Sequence, residues 1–106
     1  ADGGMLIGDN VTIGHLVVCH ASHVGNDSLL GNGSTLNDTA RVGERCILAA
    51  GAVLIEHHEV PNDSVAAGVP AKIIGPMQQK HYDMVKMNAD EYVTMAADYK
   101  STGTLE

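Results

Sequence analysis

Along residues 7–54 an apolar residue returns every six positions. Ile7, Ile13, Cys19, Val24, Leu30, Leu36, Val42, Leu48 and Leu54 open successive units. A glycine or alanine follows most of them: Gly8, Gly14, Gly25, Gly31, Gly43 and Ala49. Four residues after an opener stands a second small or β-branched residue: Val11, Val17, Ser28, Ser34, Ala40, Cys46 and Ala52. One unit, residues 19–23, is a residue short. Neither a 3.6-residue helical period nor the two-residue alternation of a long strand fits this spacing. A short strand followed by a tight turn does. The opener and the residue four later point toward a common axis, and the rest face solvent. Units of this length cannot bury an apolar side alone and must stack on their neighbours. Three units close a triangular coil of about 18 residues, and coils stack at the ~4.8 Å spacing of paired strands.

The narrow bore of such a prism accounts for the absence of Phe and Trp. Residues 1–76 are assigned to the repeat domain, with residues 1–6 as the end of a preceding loop. Glu56, His57, His58 and Glu59 interrupt the apolar pattern and predict a protruding loop. Residues 60–72 add a last, irregular coil carrying Pro61 and Pro70, placed where ladder donors are dispensable. Residues 77–100 contain neither Gly nor Pro after Gly75-Pro76 and predict a helix. Val85, Ala89, Tyr92, Val93, Ala96 and Tyr99 form one apolar stripe at three- and four-residue spacings, expected to lie along the outside of the prism. Asn88 and Glu91 have the spacing of a capping box. Residues 101–106 read as a disordered tail. The fold class expected is mainly β: a parallel β-helix of about three coils with a C-terminal α-helix packed along it.

Charge narrows the partners. Six Lys and Arg stand against 13 Asp and Glu, a net charge of −7. An acidic surface repels phosphate backbones and argues against nucleic acid or an anionic membrane as partner. No apolar run approaches the ~20 residues of a membrane span, and the polar start lacks the pattern of a secretion signal. Cys19 and Cys46 both fall on inward positions and read as small buried hydrophobes. A cytoplasmic location follows from that reading.

The stretch Ile7-Gly8-Asp9-Asn10-Val11-Thr12-Ile13-Gly14-His15, continued to His20, resembles the metal-site segment of the γ-class carbonic anhydrase family. Residues 24–33, 47–53 and 61–72 are similar as well, although the last of these is shared with many hexapeptide acyltransferases. The resemblance covers the whole chain but only the C-terminal part of a typical family member. It implies a left-handed coil, a homotrimer, and a zinc, iron or cobalt ion held between subunits by His15 and His20. It implies too that the metal activates water for attack on CO2, with bicarbonate as product. The chain departs from the family at Ala21-Ser22, where Gly-Cys is usual, and at Asn32, where Met is frequent. The family's third metal histidine, with the Arg, Asp and Gln of its pocket, lies upstream of residue 1.

Zinc takes neutral imidazoles at about 2.0–2.1 Å, commonly three protein ligands plus water in a catalytic site. His15 and His20 fall in different units of the prism, so their imidazoles diverge within one chain. A second chain brings His15 of one subunit to His20 of its neighbour, three times over in a trimer. The plainer reading is two surface histidines without an ion. Asp2 is the one candidate for a third ligand a coil above. His23 falls on a nominally inward position and reads as a hydrogen-bonded, partly buried imidazole. Asn32 joins His23 and Asp2 as an accessory candidate. His57 and His58 read as solvated loop residues, and His81 as helix surface. The unpaired edge of the first coil is expected to be covered by another chain, through stacking, swapping or a separate partner. Three functions stay open: a γ-carbonic anhydrase-like protein with full, reduced or no activity, a hexapeptide acyltransferase using a histidine base, and a structural trimer without catalysis.

Overall fold

The structure is a computed structural model that describes residues 5–20 and 23–87. The six-residue period becomes a series of strands two residues long. In chain order these are β1 (Leu6–Ile7), β2 (Thr12–Ile13), β3 (Val18–Cys19), β4 (His23–Val24), β5 (Leu29–Leu30), β6 (Thr35–Leu36), β7 (Arg41–Val42), β8 (Ile47–Leu48), β9 (Val53–Leu54) and β10 (Glu59–Val60). Longer strands β11 (Ser64–Ala67) and β12 (Lys72–Pro76) follow. A helix, α1, covers residues 79–87.

Strands three apart stack in parallel and make three sheets: β1-β4-β7-β10, β3-β6-β9, and β2-β5-β8-β11 with β12 added antiparallel at its end. They are the three walls of a left-handed β-helix of about three coils. The register shows where the short unit acts. Leu6 sits against His23, 17 positions on, and Val18 against Thr35, also 17. Past the short unit, His23 sits against Arg41 and Leu29 against Ile47, each 18 positions on.

The openers fill the bore. Val24, Leu30, Leu36 and Leu48 are fully buried, and Val42, Leu54 and Val60 nearly so. The second inward positions close the space between them: Ser28, Ser34, Ala40, Cys46 and Ala52 are also fully buried. Two of these are hydroxyls, and both are satisfied. Ser28 Oγ donates to the Gly43 carbonyl and accepts the Cys46 N–H, while Ser34 Oγ donates to the Gly31 carbonyl. Burial pushes the Cys46 thiol up from its usual value, and its Sγ lies 3.0 Å from the Pro61 carbonyl oxygen.

The described corners turn through a residue with a left-handed backbone. One edge of the prism uses Asn10, Asp27, Arg45 and Asp63, the next Leu16, Gly33 and Gly51, the third Thr39 and His57. This column of positive φ corrects one sequence expectation. Residues 56–59 are not a protruding loop. His57, at φ 65°, makes an ordinary corner, and Val60 re-enters the bore against Val42. Only the openers need be apolar, so a polar corner leaves the coil intact. His57 and His58 are exposed as expected.

α1 lies on the outer face of the wall β2-β5-β8-β11. Met77, Tyr82 and Val85 pack against Leu29, Ile47 and Val65. Tyr82 donates its hydroxyl to Asp63 Oδ1 at 2.9 Å, and Arg45 grips the same carboxylate with Nε at 2.7 Å and a second nitrogen at 3.1 Å. The helix begins at residue 79 rather than 77, with the Met77 N–H spent on the Asp63 carbonyl. Ala89, Tyr92, Val93, Ala96, Tyr99, the capping pair and the tail at 101–106 lie outside the described residues.

The hydrogen bonds from Arg45 and then Tyr82 hold the Asp63 carboxyl below the usual carboxylate range. The bond to Asp63 raises Tyr82. A lowered acid stabilises the fold above its unfolded pKa, about 3.9, and that contribution fades as pH falls through the folded value. A raised tyrosine stabilises below about 10 and fades as pH climbs through its folded value. Asp63→Asn is therefore expected to flatten the acid limb of a Tm-against-pH curve below about pH 5. An unchanged acid limb would show that the latch carries no linkage.

Candidate metal centre

The two histidines of the repeat stand at the two margins of one wall. His15 occupies the corner that leads into β3, and His20 directly follows β3. Both are exposed. The His15 backbone is held on both sides by the coil below: its N–H donates to Asn32 Oδ1 at 2.7 Å, and its carbonyl accepts the Gly33 N–H at 2.8 Å. The His20 N–H donates to the Leu36 carbonyl at 2.8 Å. His20 borders a recess of about 340 Å³ shared with Asn37, Asp38 and Glu56.

Those neighbours were not singled out from sequence. Asp38 and Glu56 are 18 positions apart on one prism edge, each one residue past the position that stacks beneath His20 (Asn37 in the next coil), so coil arithmetic could have placed them near it. On the same edge, the Thr39 hydroxyl meets His57 Nδ1 and the His57 N–H reaches the Asp38 carbonyl.

The wall between His15 and His20 is β3-β6-β9. Val18, Thr35 and Val53 point outward from it, since Cys19, Leu36 and Leu54 beside them face the bore. Val18 is exposed, and Leu16 at the leading corner is 89% exposed with φ 58°. An aliphatic side chain that is both left-handed and bare to solvent combines backbone strain with an unpaired apolar surface. Tyr82 and Val85 of α1 pack on another wall, against Leu29, Ile47 and Val65.

His23 is placed differently from expectation. It is half-buried on the outer face of the first wall, between Leu6 and Arg41. Val24 beside it takes the inward position at 0% exposure, and alternation sends His23 out. Asp2 lies outside the described residues. Imidazoles are suitable donors for zinc and its neighbours. Among the described residues, however, no group of three or more His, Cys, Asp or Glu gathers where it could hold an ion. The described part of one chain does not close a coordination set.

No protein-family model matches the chain. It is 33% identical over 96 residues, 91% of its length, to γ carbonic anhydrase 2, mitochondrial, of Arabidopsis thaliana, and 31% identical over 97 residues to a carbonic anhydrase of Geobacillus kaustophilus. This chain is a hexapeptide-repeat protein that resembles γ carbonic anhydrases over about 90% of its length. It spans 34% of the length of the first of these relatives and 53% of the second. Among solved structures, a candidate acetyltransferase of Bacillus cereus superposes with a TM-score of 0.81 at 28% identity, covering 92% of this chain and 62% of that one. The hexapeptide-repeat chain has no helix, among its described residues, long and apolar enough to cross a membrane.

Proposed function

We propose that the chain is a subunit of a γ-carbonic anhydrase-like homotrimer in which His15 of one copy and His20 of the next hold a shared metal ion. One observation carries this reading: the two imidazoles flank a single exposed wall that also bears Leu16 and Val18. Three such walls turned toward a threefold axis bury those apolar side chains. The same rotation sets each His15 margin beside a neighbour's His20 margin, and the head-to-tail contact closes as a ring. Zinc, iron and cobalt all suit imidazole donors. A bound metal would supply a Lewis acid that makes water nucleophilic near neutral pH. The chain's own contribution is to hold two neutral imidazoles on rigid corners and to keep polar groups (Asn37, Asp38 and Glu56) around the His20 recess.

The reaction such a site performs is the reversible hydration of CO2 to bicarbonate. It requires a third donor from outside the described residues, with Asp2 the candidate within this chain. The relatives named carbonic anhydrases support this reading. The exposed bore residues Ile7 and Ile13 of the first coil, 42% and 45% accessible, fit a further chain segment or subunit stacked there. Free Cys19 and Cys46 fit a reducing compartment such as the cytoplasm.

Metal content measured with oligomer mass is the test. The wild type is expected to be trimeric and to carry up to one zinc, iron or cobalt per chain. His15→Ala and His20→Ala are each expected to reduce metal to background. Metal-free trimers would leave the structural scaffold as the reading. The likeness to the Bacillus cereus protein favours acyl transfer as the alternative. That alternative would be recognised by thermal stabilisation with acetyl-CoA that is lost on replacing a histidine.

A further inference from the structure

Asn32 lies one coil beneath His15 and takes its N–H, while the adjacent Gly33 N–H takes its carbonyl. Gly14 makes the approach possible, because a Cβ there would stand 2.3 Å from Asn32 Oδ1. The device is selective along its own prism edge. Beneath Gly14-His15 stands Gly31-Asn32, and beneath that stands Ala49-Ala50, where the side chain offers no acceptor. On that edge the amide is placed under the histidine and not repeated. The same bond recurs on a different edge, where Asn26 Oδ1 accepts the Asp9 N–H at 2.7 Å and Asn62 Oδ1 the Glu44 N–H at 2.8 Å. Those corners present carboxylates, not imidazoles, and provide an internal comparison.

We infer that Asn32 is a positioning residue for metal capture, acting through the backbone of His15. The inference rests on the reading of His15 as a metal ligand. A ligand shared between subunits must stand at the right place on the rim before the neighbour arrives. Any freedom it keeps is lost on binding and weakens the complex. Asn32 and Gly33 remove that freedom from the segment carrying the imidazole. Groups that orient a metal ligand from outside the coordination sphere commonly change affinity 10–100-fold when removed.

The experiment compares Asn32→Ala, Asn32→Asp and Asn26→Ala in the full chain. Zinc affinity is read by chelator competition, and Tm, oligomer mass and amide exchange are read alongside. Asn32→Ala is expected to bind zinc about 10–100-fold more weakly, with faster exchange at the His15 amide. Asn32→Asp keeps an oxygen acceptor and is expected to recover to within about threefold of wild type, on the same outer-shell scale. Asn26→Ala should lower Tm comparably and leave zinc affinity unchanged. A wild-type zinc affinity in Asn32→Ala, or an equal loss in Asn26→Ala, overturns the inference while the metal reading stands. A wild type that takes up no zinc overturns that reading and the inference with it.

Discussion

Leu48→Ala is expected to cost about 2–5 kcal/mol of folding stability. Leu48 is fully buried in a column that runs Ile13, Leu30, Leu48, Ala66 down the wall β2-β5-β8-β11. Leu30 covers it from above and Ala66 from below. Rungs pinned by parallel hydrogen bonds cannot slide together to fill the void, so the cavity persists and the cost sits toward the upper end of that range. Urea unfolding should show a lower midpoint at constant slope. Ile13 occupies the same column at 45% exposure, and Ile13→Ala should cost less than half as much. Equal losses at the two positions would mean that the bore is not the main source of stability.

Gly25→Ala should be at least as damaging. A Cβ at Gly25 would lie 2.6 Å from the Glu44 nitrogen and the Gly43 carbonyl carbon, and 2.7 Å from the Gly43 oxygen. All three are backbone atoms of the next coil, so no side chain can swing aside. The coils must part locally, at a cost at or above the ~3 kcal/mol reached by severe overpacking. Gly51 supplies the contrast. Its Cβ direction is open, and its φ of +72° is the sole obstacle. Gly51→Ala should therefore cost only the left-handed penalty, roughly 1–2 kcal/mol. Thermal melts of the two variants separate the effects. A Gly25→Ala protein that melts like Gly51→Ala would refute the close stacking of these corners.

The architecture was legible because one signal repeats nine times. Any single Leu-Gly pair says little, but openers at fixed spacing leave no other way to bury themselves. The same counting failed at His23. Counted forward from Cys19, it takes the second inward position. The missing residue of that unit comes out of the corner, not the strand, so the count back from Val24 decides and turns His23 outward. The polar run at 56–59 misled for a related reason: a corner has no need of apolar side chains, and its backbone geometry leaves only a faint trace in composition. At the candidate site, His15 and His20 were legible as a spaced pair. That they bracket one wall bearing exposed Leu16 and Val18 was not, because it depends on how the coils register. Asn32 stood out in the sequence as a departure from the family's methionine and as an accessory candidate without an assigned role. Its bond to His15 needs the 17-residue register.

The hydrogen bonds around Asn32 also bear on how the protein ages. Asn-Gly is the dipeptide most prone to spontaneous deamidation, in which the glycine nitrogen closes onto the asparagine side chain and ammonia departs. Here the Gly33 nitrogen is committed to the His15 carbonyl and the Asn32 oxygen to the His15 amide. The ring cannot close while the Gly33 N–H is held by the His15 carbonyl, so the folded coil preserves a residue that the loosened chain would slowly convert.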